Sequence, residues 1–326
     1  MNRKKLIAFS ISLAMTVVPV TPAAAAGAEQ NTEGLQNAVL DLEFENSLED
    51  SSGKGNNGTL SSGEAEYVDG VVGKGLKMNG SSYVNLGNST DLQPENLTLS
   101  FWIRPDSDMK GEELISWNKN EWYTDGWYLS SENDNTPLTL SVGPAKTNGQ
   151  PYRVSVSGKR SEFLPTGEWT HIAVTYDKDS KEICFYRNGV KCSTVTTYGI
   201  SGESTGVLGS DATMEKSIGY NGPKYKGAYL KASLDEYQLY NDVATPEEVI
   251  ALYEESGQTF DRKAVAQADL DKISIPETTQ ENLSLPTTGE SGSVISWSSD
   301  NEAMVAADGT VVRPGVGEKD VTVTLT

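Results

Sequence analysis

The sequence predicts an all-β protein, a jelly-roll β-sandwich followed by a second, shorter β-rich unit. Two observations carry this. From residue 38 to about 240, short apolar-rich runs alternate with turns built of Gly, Asn, Asp and Ser. No long stretch keeps the apolar spacing of an amphipathic helix. The 326 residues are 37% hydrophobic and include 31 glycines, which leaves enough apolar side chain for a packed core.

The chain opens with Arg3, Lys4 and Lys5, an apolar stretch over 6–20, and the small-residue run 23–26. This three-part pattern predicts a secretory signal peptide over 1–26 with an Ala-x-Ala cleavage site. The apolar run is short for a membrane anchor. Its removal leaves 23 basic against 46 acidic residues, a net charge of −23. Export would also expose the carboxylates to extracellular calcium.

Strands are expected at 39–44, 83–86, 97–103, 127–129, 138–142, 172–176, 182–187 and 234–240. A short helix is expected after Thr245, which can cap it, with Pro246 at its first position and Glu247 and Glu248 at its positive end. Residues 254–272 shift in composition and form a linker, with a short amphipathic helix over 261–270. A partial β unit then spans 273–326 and ends in the alternation Val321, Val323, Leu325. At about 50 residues it is short for a complete sandwich, so the chain is expected to be a piece of something longer. Leu285-Pro286-Thr287-Thr288-Gly289 matches a cell-wall sorting pentapeptide, but a polar, β-like stretch follows it, and the match is read as coincidence.

Charge and composition exclude several function classes. The full chain carries 26 basic and 46 acidic residues, a net −20. That balance opposes tracking of nucleic-acid phosphates and adhesion to anionic lipid. A single histidine, His171, and two cysteines rule out zinc fingers and multi-histidine metal centres.

The first unit resembles a known family. Asp50-Ser51-Ser52-Gly53-Lys54-Gly55-Asn56-Asn57-Gly58-Thr59, Gly73-Lys74-Gly75-Leu76 and Tyr83-Val84 resemble the start of a laminin-G-like, concanavalin A-type jelly roll. Leu99-Ser100-Phe101-Trp102-Ile103 and Gly167-Glu168-Trp169-Thr170-His171-Ile172 look like its core strands, and Phe185-Tyr186-Arg187-Asn188-Gly189 like its hairpin. Leu234-Asp235-Glu236-Tyr237 and the helix after Pro246 look like its close. The resemblance covers 38–253. Residues 283–326, with Ile295-Ser296-Trp297-Ser298 and Asp308-Gly309-Thr310-Val311, resemble an atypical bacterial immunoglobulin-like domain lacking its last strands. The pair is typical of secreted modular glycoside hydrolases of Gram-positive bacteria, often arabinan- or xylan-active. What this implies is a non-catalytic accessory region that holds polysaccharide or oligosaccharide for a covalently linked catalytic domain further along the chain. Because the fold hosts many functions, two other readings stand beside it: a glycosidase using the jelly roll's own carboxylates, and a cell-surface module that binds protein.

Asp41, Glu43 and Glu45 share one strand face, while Leu40, Leu42 and Phe44 share the other. Two carboxylates about 4 Å apart repel by roughly 4 kcal/mol at an effective dielectric near 20, and a divalent cation relieves that repulsion. The expectation is one structural calcium held by Glu43, Asp50, Asn56 and Asp235 with carbonyls of the turn 50–58; the family often has a calcium here. The competing reading has Asp50 capping backbone amides and Asp235 bonded to its neighbours. For catalysis, Glu132-Asn133-Asp134 begins the motif of retaining glucanases of this fold, but Thr136 and Pro137 follow where a third carboxylate is needed, so no catalytic residue is assigned.

Trp102, Trp127 and Trp169 fall in strand motifs and are assigned to packing, as are His171 and Trp297. Trp117, Trp122 and Tyr123 lie in the polar stretch 116–125. They are either rim packing or a platform for the apolar face of a sugar, with Asn118, Asn120, Glu121 and Asp125 bonding hydroxyls. Tyr152, Arg153 and Tyr225 are weaker candidates. A hairpin bulge at Gly189 would set Cys184 opposite Cys192, so the two are either a disulfide or a pair of thiols.

Overall fold

The computed structural model describes residues 35, 38–106, 113–119, 126–143, 152–192, 195–198, 215–220 and 229–326. The chain divides into a unit Thr32–Phe260 and a smaller unit Asp261–Thr326. Strands of the large unit are β1 (Ala38–Leu42), β2 (Thr59–Leu60), β3 (Glu66–Asp69), β4 (Lys74–Asn79), β5 (Val84–Asn85), β6 (Leu97–Pro105), β7 (Glu113–Lys119) and β8 (Gly126–Ser131). There follow β9 (Thr139–Val142), β10 (Tyr152–Val156), helix α1 (Arg160–Phe163), β11 (Thr170–Tyr176), β12 (Ile183–Arg187), β13 (Val190–Lys191), β14 (Val195–Tyr198), β15 (Ser217–Ile218), β16 (Lys231–Tyr240) and helix α2 (Pro246–Glu255).

Among the described residues these strands form two eight-stranded antiparallel sheets, the jelly-roll sandwich expected from the sequence. The first runs β13-β12-β11-β6-β16-β4-β3. Its long strand β16 has β6 on one side and, on the other, β4 beside its first half and β1 beside its second. The second runs β14-β10-β9-β8-β7-β15-β5-β2. The core lies between them. Leu40, Leu42, Leu99, Phe101, Ile172 and Leu234 of the first sheet join Ile115, Trp127, Leu129, Leu140 and Ile218 of the second in one buried cluster. Alternation along each strand therefore sends the intervening residues to the outer faces.

Helix α2 lies on the outer face of the first sheet, where Val249 joins Ala173, Cys184, Tyr186 and Ala244 in a second apolar cluster. Its start is as expected and stronger. Thr245 Oγ1 accepts from the Glu248 amide, and the Thr245 amide donates to Glu248 Oε2 at 2.7 Å, a capping box with Pro246 in the first turn.

The cysteines differ from the disulfide expectation. Both are free thiols. Asn188 and Gly189 have φ of 50° and 78° and form the whole of a two-residue hairpin loop, with Arg187 opposite Val190 and no bulge. The Cys192 amide then bonds the Phe185 carbonyl, one residue out of step with Cys184. One residue reverses the face, so Cys184 packs in the outer cluster and Cys192 against the core.

In the small unit, α3 (Arg262–Leu270) is capped by Asp261, whose Oδ1 accepts from the Ala264 amide. Leu283, Val305, Val323 and Leu325 form its core. Isolated bridges such as Ser299 to Leu325 and Val305 to Val311 stand where full strands were expected. Trp297 is at the margin of that core, its indole N–H donating to the Pro286 carbonyl at 2.7 Å. No described helix is long and apolar enough to cross a membrane.

Candidate functional site

The aromatic candidates separate on the structure. Trp127 points into the core and is fully buried. Its neighbour Tyr128 therefore points outward from the second sheet, and Trp117, its cross-strand partner, shares that outer face. The two rings stack at 5.4 Å, and Trp117 keeps 2% of its surface. Trp117 is thus packed and is not an open platform. Asn120, Trp122, Tyr123, Asp125, Glu121 and Tyr225 lie outside the described residues. Trp102 is buried on the outer face of the first sheet against Tyr253, and Trp169 is half-buried with the Arg104 guanidinium over its ring at 4.7 Å.

The outer face of the second sheet continues from these two rings. Tyr128 pairs with Ser141, and Ser141 with Arg153. Two residues along, Ser130 pairs with Thr139 and Thr139 with Ser155. The face therefore runs from stacked aromatics to two rows of hydroxyls and a guanidinium. Thr139 and Ser155 bond each other at 2.7 Å. Arg153 forms an ion pair with Glu132, and the two side chains keep 33% and 20% of their surface, the open edge of the row. The hydroxyls of Ser130 and Ser141 are buried with no hydrogen-bond partner. An unsatisfied buried polar group costs roughly 1–3 kcal/mol, so this face holds hydrogen-bonding capacity that the protein itself leaves unused. The sequence signal was faint: serines, threonines and Arg153 at every second position of β8, β9 and β10, the periodicity of one strand face.

The acidic residues are only partly gathered. Asp50 and Asn56 meet in the turn after β1. Asp50 Oδ1 accepts from the amides of Asp41 and Ser52, and its Oδ2 from Asn56. Those bonds, above all to Ser52, outweigh desolvation and lower the Asp50 pKa. Asn56 Nδ2 donates to the Val39 carbonyl at 2.7 Å. Asp235 is fully buried elsewhere: its Oδ2 accepts from the amides of Val71 and Val72, and its Oδ1 from Glu236. Burial nevertheless pushes its pKa up to about 6. Glu43 is exposed. Asp41 Oδ1 is buried without a partner, and burial first, then the charges of Glu43 and Asp50, raise its pKa. Among the described residues no three Asp, Glu, His or Cys side chains converge as metal ligands.

His171, 1% exposed, bonds Ser100 Oγ through Nε2 at 2.9 Å. The pair has the spacing of a nucleophile and base, but burial lowers the imidazole pKa to about 3, which leaves it a weak base.

Comparison with known proteins follows this geometry. Residues 78–250 match the model of the concanavalin A-like lectin/glucanases superfamily, and 263–326 that of the atrophied bacterial Ig domain. The chain is similar in structure to domain 4 of AbnA, a GH43 extracellular arabinanase from Geobacillus stearothermophilus, solved in complex with arabinotriose. That match has TM-score 0.50 and 22% identity, covering 67% of this chain and 98% of that one. It is also similar to the binding domain of Paraclostridial Mosquitocidal Protein 1, with TM-score 0.51 and 22% identity over 67% of this chain and 52% of that one. A third similar structure is of botulinum neurotoxin type C, whose cell entry depends on interaction with two ganglioside molecules; its TM-score is 0.51 at 17% identity, over 68% of this chain and 52% of that one. No curated protein matches the chain. With more than half of its length matched, and with the two-sheet sandwich that the match requires, the chain belongs to the concanavalin A-like lectin/glucanase superfamily.

Proposed function

We propose that the chain is an exported carbohydrate-binding accessory region, and that its jelly roll holds a neutral oligosaccharide on the outer face of the second sheet. The observation that carries this is the open edge of the row, where Arg153 and Glu132 keep 33% and 20% of their side-chain surface beside the partnerless buried hydroxyls of Ser130 and Ser141. A sugar offers hydroxyls that a guanidinium and a carboxylate can bond. The net charge of −20 suits a neutral glycan better than an acidic one. The arabinotriose held by the similar arabinanase domain supports the ligand class, and its parent enzyme supports a linked catalytic domain. Binding of this kind raises local substrate concentration without new chemistry.

The glycosidase reading has less support. It needs two carboxyls about 5–9 Å apart across a sugar-sized cleft, and Glu132, a carboxylate on this face among the described residues, is held by Arg153. Calcium is proposed at the corner of β1. Of the expected ligands Asp50 and Asn56 meet there, but Asp50 already accepts main-chain amides and Asp235 is held by the Val71 and Val72 amides, so the ion would draw chiefly on main-chain carbonyls of the turn and on Glu43.

Isothermal titration of the full chain with arabinan, xylan and neutral oligosaccharides tests the binding reading. Ser141→Val or Arg153→Ala should weaken binding about tenfold each, one lost hydrogen bond at roughly 1.4 kcal/mol. Full affinity in both variants would move the site elsewhere, and retention of a protein partner with no glycan would favour the adhesion reading.

A further inference from the structure

The second sheet carries an aromatic cluster at the margin opposite Arg153. Tyr83, Tyr220 and Tyr229 lie together there, and none of the three is a member of the two apolar clusters of the large unit. The backbone assembles them in two steps. Val84 pairs with Ile218 and both side chains enter the core, so the neighbouring Tyr83 points to the outer face. Gly219 then turns the chain with φ of 87°. Its carbonyl accepts from the Leu230 amide at 3.0 Å, which sets Tyr220 beside Tyr229. Tyr83 and Tyr229 are half-buried, so the fold spends three large rings on a margin where they add nothing to either core.

The geometry narrows the ligand. Tyr220 and Tyr229 stack at 4.5 Å with planes 8° apart. Tyr83 lies 5.0 Å from Tyr220 and 6.5 Å from Tyr229, its plane 24° and 25° from theirs. Rings this nearly parallel make a flat patch. They do not surround a quaternary ammonium as a cage must, and they leave no groove between them for a proline-rich segment. Flat aromatic patches suit nucleobases and sugar rings. A nucleic acid brings phosphates, which the net charge of −20 opposes. So does the exposed Glu215, whose charge, after burial, raises the Tyr83 pKa. A neutral sugar brings hydroxyls instead. The Glu215 carboxylate can accept from them, as can the exposed Ser61 hydroxyl, which is fixed at Tyr83 by accepting its amide at 3.0 Å.

We propose that Tyr83, Tyr220 and Tyr229 form a second carbohydrate site, a platform for one ring of a neutral sugar, with Ser61 and Glu215 as its polar flank. It is distinct from the Arg153 edge. Strands β5 and β10 are five strand spacings apart, about 24 Å, and the buried Trp117 and Tyr128 lie between them. Two short oligosaccharides can therefore occupy one chain independently.

The test is a proton–carbon NMR titration of the full chain, labelled on its tyrosine rings, with xylotriose and with cellotriose. The Tyr83 and Tyr229 signals, assigned from Tyr83→Phe and Tyr229→Phe, should shift saturably with at least one of the two, and the shifts should persist in Arg153→Ala. Tyr83→Ala should weaken the response read at Tyr229 about tenfold, and Tyr83→Phe, which keeps the ring, should leave it unchanged. Tyrosine signals that neither sugar moves, shifts that vanish in Arg153→Ala, or full affinity in Tyr83→Ala would each overturn the platform. So would a stronger response to oligoproline or adenosine than to either sugar. The titrations of the parent and of Arg153→Ala decide even where Tyr83→Ala fails to fold. Glycan affinity that falls in Arg153→Ala while the tyrosines stay silent would strike this platform alone and leave the first site standing.

Discussion

Glu236 and Asp235 show how adjacent carboxylates come to different uses. Asp235 is fully buried and is the hydrogen-bond acceptor for three amides, two of them in the turn between β3 and β4. Truncating it leaves buried donors unpaired, so Asp235→Ala should cost roughly 2–4 kcal/mol and lower the melting temperature by several degrees. Gly70 lies against the same carboxylate: a Cβ there would stand 2.5 Å from Asp235 Oδ2 and 2.6 Å from the Val72 carbonyl. Gly70→Ala should therefore destabilise by about 1–3 kcal/mol. Glu236 is different because burial and four acidic neighbours raise its pKa from 4.5 to about 8. A folded-state value above the unfolded one means that Glu236 stabilises the fold fully below pH 4.5, and that this contribution is lost as pH rises through about 8. Denaturant titrations across that window should show stability falling with pH, and Glu236→Gln should flatten the decline. An unchanged slope in the variant would show that Glu236 titrates normally. None of these roles was legible in the sequence. Asp235 was expected at a metal because its position in phase with core residues required a partner. Besides the adjacent Glu236 amide, the partners proved to be the Val71 and Val72 amides, far away in the chain, which spacing along one strand cannot reveal.

At the scale of elements, local chemistry carried most of the information. Thr245, Pro246 and Glu248 form the cap that their types and spacing predicted, because N-terminal capping is settled within four residues. The strands around Leu99, Ile172 and Leu234 also match, since apolar and polar residues alternate within each run. The hairpin at Asn188-Gly189 is the instructive miss. The turn was placed correctly, yet a two-residue loop in place of a bulged one shifts the register by one and sends the two cysteines to opposite faces. Alkylation of the unfolded chain without reductant should then add two labels, read by mass spectrometry; a mass two hydrogens short of the thiol form with no label would mean that the pair is oxidised. Short pieces such as α1 and β15 escaped the sequence because four or two residues carry no period.

For the whole molecule, the sandwich depends on two sheets closing over one core. If calcium neutralises the corner of β1, thermal melts of the full chain should shift downward by several degrees when chelator is added, and an unchanged melting temperature would remove the ion from that corner. Composition and alternation by themselves pointed to the all-β class, and the local residue types to the capped helix, because each is a property of residue types and of spacings within a single run; the family came from the resemblance of its motifs, taken in order along the chain. Only the tertiary structure decided that Trp117 is packed and that Ser130 and Ser141 share one face with it. It also decided that Asp235 serves the β3–β4 turn and that Tyr83, Tyr220 and Tyr229 stack in one cluster. Those arrangements join residues from strands far apart in the chain, and strand order, register and bulges are set by the packing of the two sheets, which no single segment encodes.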